Sequence, residues 1–174
     1  MNRRTFMTSA GQSAMATGAM LLGAPAVHAQ PQYAWKMVTT WPKAFPGVGT
    51  GASRLARAIE IMSEKRFTIT VYGAGELVPA FDTFDAVAAG TAEMGHASAY
   101  YWQAKHAATP FFATVPFGLN AQEMAAWLYY GGGQALWDEL YAPFNLKPFA
   151  AGNSGAQMGG WFNKEITTVK HLRV

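Results

Sequence analysis

The strongest constraint on the fold is that two hydrophobic periods alternate along one chain. Phe67, Ile69 and Val71 alternate with Thr68, Thr70 and Tyr72, the period of a half-buried strand. Just before them, Leu55, Ile59 and Met62 recur at helical spacing, with Arg54, Arg57 and Glu64 mostly on other faces. The alternation continues in both directions. Trp35 to Thr40 reads as a first strand, and the Pro- and Gly-rich stretch Trp41 to Gly51 as a loop. Gly73 to Pro79 is a second loop, Phe81 to Ala92 a helix, Met94 to Ser98 a short buried strand, and Tyr100 to Ala104 one or two helical turns. Phe111 to Val115 reads as a strand stopped by Pro116 and Gly118. Asn120, with Glu123 three residues on, has the pattern of a capping box, and that helix runs to Tyr130 and meets Gly131-Gly132-Gly133. A further helix carries Leu136, Leu140 and Phe144 on one face. Leu146 to Ala151 and Gln157 to Asn163 read as strands around a turn at Gly152 to Gly155, and Lys164 to Val174 as a strand-to-strand connection. Strands and helices in this order predict an α/β fold with a mostly parallel sheet and flanking helices. Ligands of such sheets sit at the carboxyl ends of the strands. The candidate site walls are therefore Trp41 to Gly51, Gly73 to Pro79, Ser98 to Trp102 and Gly152 to Gln157.

Composition narrows the functions. There is no cysteine, which removes disulfide scaffolds, thiolate metal sites and cysteine nucleophiles together. The charged fraction of 13% is too low for disorder driven by charge. Of the formal charge of +3, Arg3 and Arg4 supply two, and no run of Lys and Arg exceeds the pair Lys65-Arg66. Nothing resembles the basic stripe of a nucleic-acid binder.

The first residues look like an address. Arg3-Arg4-Thr5-Phe6 resembles a twin-arginine export signal, and Thr5 to Trp35 holds no Lys, Arg, Asp or Glu. The mildly apolar Ala14 to Ala24 leads to Val27-His28-Ala29, small residues that suit cleavage after Ala29. Residues 1–29 are thus expected to be a removed signal peptide, with the mature chain starting at Gln30, and the location periplasmic.

Several motifs touch chemistry. Gly47-Val48-Gly49-Thr50-Gly51-Ala52 fits G-x-G-x-x-A, but a proline-containing stretch separates it from its strand and no acid follows at a strand end. It reads better as a helix entry whose free amides meet an anion. His96, Ser98 and His106 invite a secreted hydrolase with Ser98 as nucleophile, although Ser98 lacks the flanking glycines of a nucleophile elbow. Asp82 and Asp85 read as first-turn acids of a helix. Tyr100-Tyr101-Trp102 has a polar atom on every ring and suits either a core or a ligand pocket. Gly152 to Ile166 is the most informative stretch. Gly159 and Gly160 permit close approach of backbone or ligand, and Gln157 offers a carbonyl acceptor and an amide donor that suit a cation and a carboxylate together.

Gln157-Met158-Gly159-Gly160-Trp161-Phe162, followed by Lys164-Glu165-Ile166, resembles the signature of the periplasmic solute receptors of tripartite ATP-independent periplasmic (TRAP) transporters, in the branch that binds 2-oxo acids. Gly73-Ala74-Gly75-Glu76-Leu77-Val78-Pro79, Tyr100-Tyr101-Trp102 and Val115-Pro116-Phe117-Gly118 match the same family in the same order, and the match covers Gln30 to Val174. The resemblance implies two α/β lobes closing over a small organic carboxylate, with no catalysis. It implies that Gln157 contacts ligand and metal, that Tyr100 or Tyr101 donates to the carboxylate, and that a sodium or calcium ion bridges ligand and protein. It places the partner arginine beyond Val174 and gives Arg173 no such role. Residues 30–174 are accordingly expected to be the N-terminal part of a longer receptor: the first lobe and the start of the crossover to the second. Expected partners are the membrane subunits of a TRAP transporter, and a second copy of the full-length protein. The alternatives are the Ser98 hydrolase and a non-functional remnant.

Overall fold

The computed structural model describes residues 32–155, 157 and 159–172. The signal peptide expected over residues 1–29, Met158 of the signature and Arg173 lie outside the described residues.

Three strands form the sheet: β1 (Tyr33–Thr39), β2 (Phe67–Tyr72) and β3 (Met94–His96). All pairings are parallel and the order is β2-β1-β3. Tyr33 stands opposite Phe67, and Thr39 opposite His96. The chain therefore runs from β1 to β2 on one side and then from β2 back past β1 to β3 on the other. This is the smallest unit that creates a topological switch point.

Helix α1 (Val48–Met62) connects β1 to β2 and buries Gly49, Ala52 and Ala56. It starts four residues earlier than the loop reading of Trp41 to Gly51 implies. Gly49 explains the early start, because a Cβ there would lie 2.3 Å from the Pro42 carbonyl oxygen. Only glycine lets the helix begin against that loop. The amides of Val48, Gly49, Thr50 and Gly51 already donate to the carbonyls of Pro46, Phe45, Phe45 and Gly47. The helix entry thus has no free amides for an anion at these positions, contrary to expectation.

Helix α2 (Thr83–Ala88), preceded by a 3-10 turn at Ala80–Asp82, is shorter than the Phe81 to Ala92 expectation. It ends where Gly90 turns to φ +74°. Val38 of β1, Ala86 of α2 and Ala92 form a small core between sheet and helix. Gly95 lies close beneath α2: a Cβ there would sit 3.0 Å from Thr83 Cγ2. The β3 residues are half-buried or exposed rather than fully buried.

The second core is aromatic. Phe84, Ala99, Trp102, Leu128, Trp137 and Tyr141 pack together, joining α2 to α3 (Ala121–Tyr130) and α4 (Gly133–Tyr141). The capping box at the start of α3 is complete. Asn120 Oδ1 accepts from the Gln122 and Glu123 amides, and Glu123 Oε2 accepts from the Asn120 amide. Replacing Asn120 with Ala should cost about 1 kcal/mol, as N-cap deletions typically do. Denaturant titration of Asn120→Ala beside wild type checks this, and an unchanged midpoint contradicts it.

Further elements differ from the sequence expectation. Phe111 to Val115 is no strand: Thr109–Phe112 is a 3-10 turn. Pro110 suits such a turn, and the Phe112 ring is stacked between Trp127 (5.6 Å) and Trp137 (5.3 Å). On α4 the buried face is Gly133, Trp137 and Tyr141, whereas Leu136 is 54% exposed. Leu146 to Ala151 and Gln157 to Asn163 form no strand among the described residues, because no other segment there pairs with them. Phe149, Trp161 and Phe162 are exposed accordingly. The connection after Lys164 contains a 3-10 turn at Val169–Leu172. Gly159 has no described neighbour on its Cβ side, whereas a Cβ on Gly160 would lie 2.7 Å from the Phe162 ring. No described helix is long and apolar enough to cross a membrane.

Candidate functional site

The crevice follows from the strand order. The carboxyl ends of β1 and β3 lie side by side, the place where parallel sheets of this order bind ligands. At the end of β1 stand Thr39, Thr40 and Trp41; at the end of β3 stand His96 and, after it, Ser98. The Thr40 amide donates to the His96 carbonyl (3.2 Å), which closes the two ends together. Thr39 Oγ1 donates to the Trp41 carbonyl (2.6 Å) and fixes the turn out of β1. Thr40 Oγ1 is buried with no hydrogen-bond partner. A buried hydroxyl without a partner is costly, so this strand end holds unused capacity for a ligand or a water.

Side chains 55 positions apart meet there. Trp41 Nε1–H donates to His96 Nδ1 (3.1 Å), with the rings edge to face at 5.1 Å. Trp41 also faces Tyr101 at 6.5 Å, and Phe81 meets Tyr101 at 5.3 Å. The 3-10 turn Ala99–Trp102 positions the tyrosine pair by burying Ala99 and Trp102, which leaves Tyr100 exposed and Tyr101 half-buried against the aromatic core. Their ring centroids are 4.5 Å apart, and the Tyr100 hydroxyl donates to that of Tyr101 (3.4 Å). Burial, reinforced by Tyr100, pushes the Tyr101 phenol up to about 12. It therefore keeps its proton at any ordinary pH and can donate to a carboxylate. Burial also pushes the His96 imidazole down, which favours the neutral ring that can accept from Trp41.

The loops after β1 and β2 are tied to each other. Lys43 Nζ pairs with Glu76 Oε2 (2.5 Å), and the Gly73 amide donates to the same oxygen (3.0 Å). The Lys43 ammonium and then the Gly73 amide hold the Glu76 carboxyl below its usual range. The Ala74 amide donates to the Trp41 carbonyl (3.1 Å). Lys43 is thereby committed to Glu76.

Gln157 is placed differently from the tyrosines. It is exposed on the extended segment after Leu146, and its amide nitrogen donates to Ser154 Oγ (3.2 Å). Among the described residues nothing links it to Tyr100 or Tyr101. Calcium takes roughly six to eight oxygen ligands. The Gln157 carbonyl is the right kind of donor, but among the described residues no group of three or more His, Cys, Asp or Glu converges. These residues do not complete a cation site by themselves.

The hydrolase geometry is not assembled. His96 Nδ1 accepts from Trp41, and His106 Nδ1 accepts from the Ala108 amide (3.1 Å). A neutral ring accepting at Nδ1 carries its proton on Nε2, which leaves no lone pair there to take a serine proton. Asp85 is bound by Lys105 at 2.7 and 2.9 Å and Asp82 is exposed, so neither orients a histidine. A cavity of about 870 Å³ opens elsewhere, between Phe111, Leu119, Trp127, Leu136, Leu140 and Phe144. Its walls are apolar, with only His106 and Glu139 titratable, which suits packing rather than a carboxylate.

Sequence reasoning pointed to Tyr100, Tyr101 and the loop beginning at Trp41, which the structure brings together, but it missed Thr40 and the Trp41–His96 pair. The one available signal was that both lie at predicted strand ends.

A doubly wound parallel unit with aromatic rings and neutral donors at its switch point defines an α/β ligand-binding lobe. The model described as bacterial extracellular solute-binding protein, family 7, matches residues 37–173, and the chain belongs to that family. A monocarboxylate 2-oxoacid-binding periplasmic protein of Nostoc sp. is 51% identical over 143 residues, covering 82% of this chain and 39% of that protein. A TRAP periplasmic solute-binding protein of Colwellia psychrerythraea, crystallised with calcium and pyruvate, is 42% identical at a TM-score of 0.77. A second, from Pseudoalteromonas atlantica T6c with sodium and pyruvate, is 44% identical at a TM-score of 0.77. Both structural matches cover 81% of this chain and 43% of the solved one. The chain thus spans less than half the length of these relatives.

Proposed function

We propose that this chain forms the first lobe, and the start of the crossover, of a periplasmic receptor that captures a small organic carboxylate for a TRAP transporter. The ligand is a 2-oxo acid such as pyruvate, or a lactate-like acid. The observation that carries this reading is the switch-point crevice, where the Tyr100–Tyr101 hydroxyls and the unpartnered Thr40 hydroxyl stand beside Trp41 and His96. Neutral donors against aromatic walls suit a small planar carboxylate. Relatives crystallised with pyruvate and calcium or sodium support it.

In this reading residues 1–29 are a twin-arginine signal and residues 30–174 begin the mature receptor. Tyr100 or Tyr101 donates to the carboxylate. Gln157 contributes its carbonyl to a bridging sodium or calcium ion, whose other donors come from ligand, water and the second lobe. The receptor performs no catalysis, hands its ligand to the membrane subunits, and pairs as a homodimer at full length.

Calorimetry of the full-length receptor with pyruvate tests this. Binding should be saturable with calcium present and weaken after chelation. Gln157→Ala should weaken it at least about tenfold, the scale of losing one charge-assisted contact. Absence of pyruvate binding with either cation refutes the ligand assignment.

A further inference from the structure

Nothing so far gives His96 a part in ligand capture. It is an internal residue of the switch point, and its only described side-chain hydrogen bond is the one it accepts from Trp41. Three observations meet at this pair. The indole is half-buried just after β1. It lies between His96 at 5.1 Å and Tyr101 at 6.5 Å, which makes it the connection between the β3 strand end and the tyrosine pair. The backbone around it is anchored, because the Trp41 carbonyl accepts from both Thr39 Oγ1 and the Ala74 amide. With the backbone fixed, the remaining freedom of Trp41 is in its two side-chain torsions, and a hydrogen bond at Nε1, the far end of the lever, removes it.

We propose that His96 is a positioning residue for the carboxylate crevice: by accepting at Nδ1 from Trp41 Nε1–H, it holds the indole as a preset wall against Tyr101. The inference rests on the receptor reading above. Its consequence is preorganisation. A wall already in place is not ordered when the ligand arrives, and ordering one such side chain on binding weakens affinity by about two- to tenfold. Tyr101 gains as well, since Trp41 and Phe81 confine its ring and so fix where its hydroxyl points.

Two variants separate positioning from bulk. His96→Asn keeps an acceptor oxygen close to the Nδ1 position, whereas His96→Phe keeps the ring and removes the acceptor. On the full-length receptor with calcium, pyruvate affinity should fall about fivefold in His96→Phe and stay within about twofold of wild type in His96→Asn. The hydrogen bond itself is read without ligand. In proton–nitrogen spectra the Trp41 indole proton should exchange far more slowly than that of Trp161, which is 87% exposed. That resonance should shift in His96→Phe and be restored in His96→Asn.

Exchange as fast as at Trp161 in the wild type overturns the proposal, and this arm requires no variant to fold. Equal pyruvate affinity in wild type and His96→Phe also overturns it. A wild-type receptor that ignores pyruvate defeats the ligand reading instead, and is told apart because the slow indole exchange then persists without any binding.

Discussion

Residues 30–174 alone are expected to bind pyruvate at least about 100-fold more weakly than the full-length receptor, with or without calcium. A buried carboxylate needs charged or charge-assisted partners, and lacking them costs several kcal/mol, where about 1.4 kcal/mol is a factor of ten. The described lysines nearest the strand-end loops are already engaged. Lys43 is paired with Glu76, Lys105 with Asp85 and Lys147 with Asp138. Lys36 Nζ donates to the Thr91 carbonyl, just before the amino end of β3. What remains at the crevice is neutral: the Tyr100, Tyr101 and Thr40 hydroxyls. In the proposed receptor these would orient a carboxylate without balancing its charge. Calorimetry of this segment against the full-length receptor, each with and without calcium, gives the comparison. Micromolar binding by the segment alone would mean that its own residues supply the charge and that the split-site reading is wrong.

Export should fail almost completely when Arg3 and Arg4 are both replaced by Lys. The charge is unchanged by that substitution, so a pathway that reads only a positive N-terminus would tolerate it. A twin-arginine receptor reads the guanidinium pair, and Lys cannot present the planar donor fork. Cell fractionation should find the uncleaved precursor in the cytoplasm, while the wild-type chain appears in the periplasm starting at Gln30. Periplasmic, processed double-Lys variant would show that the leader uses another route.

The features legible in the sequence are those that short spans determine. The capping box is set within Asn120 to Glu123, and it forms in full because every partner lies within three residues. The strand at Phe67 to Tyr72 was readable for the same reason, as alternation is a local property. Tyr100-Tyr101-Trp102 stood out as a run of rings, each with a polar atom, after a small-residue strand, and the structure divides that run: Trp102 is buried, Tyr101 half-buried and Tyr100 exposed.

Tertiary structure decided the rest, and always through partners distant in sequence. Phe111 to Val115 has strand-forming residues, yet Phe112 gains more by stacking between Trp127 and Trp137 than by extending. Leu146 to Ala151 and Gln157 to Asn163 have strand-like patterns, but a strand exists only by pairing, and no described segment pairs with them; Leu146 to Pro148 meets the side chains of α4 instead. The identity of the buried face of α4 likewise depended on where Phe84 and Trp102 stand. The crevice is the clearest case. Trp41 and His96 could each be placed at a strand end from sequence. That the ends are neighbours follows only from β3 pairing with β1 instead of β2, a choice among long-range contacts that local pattern does not encode.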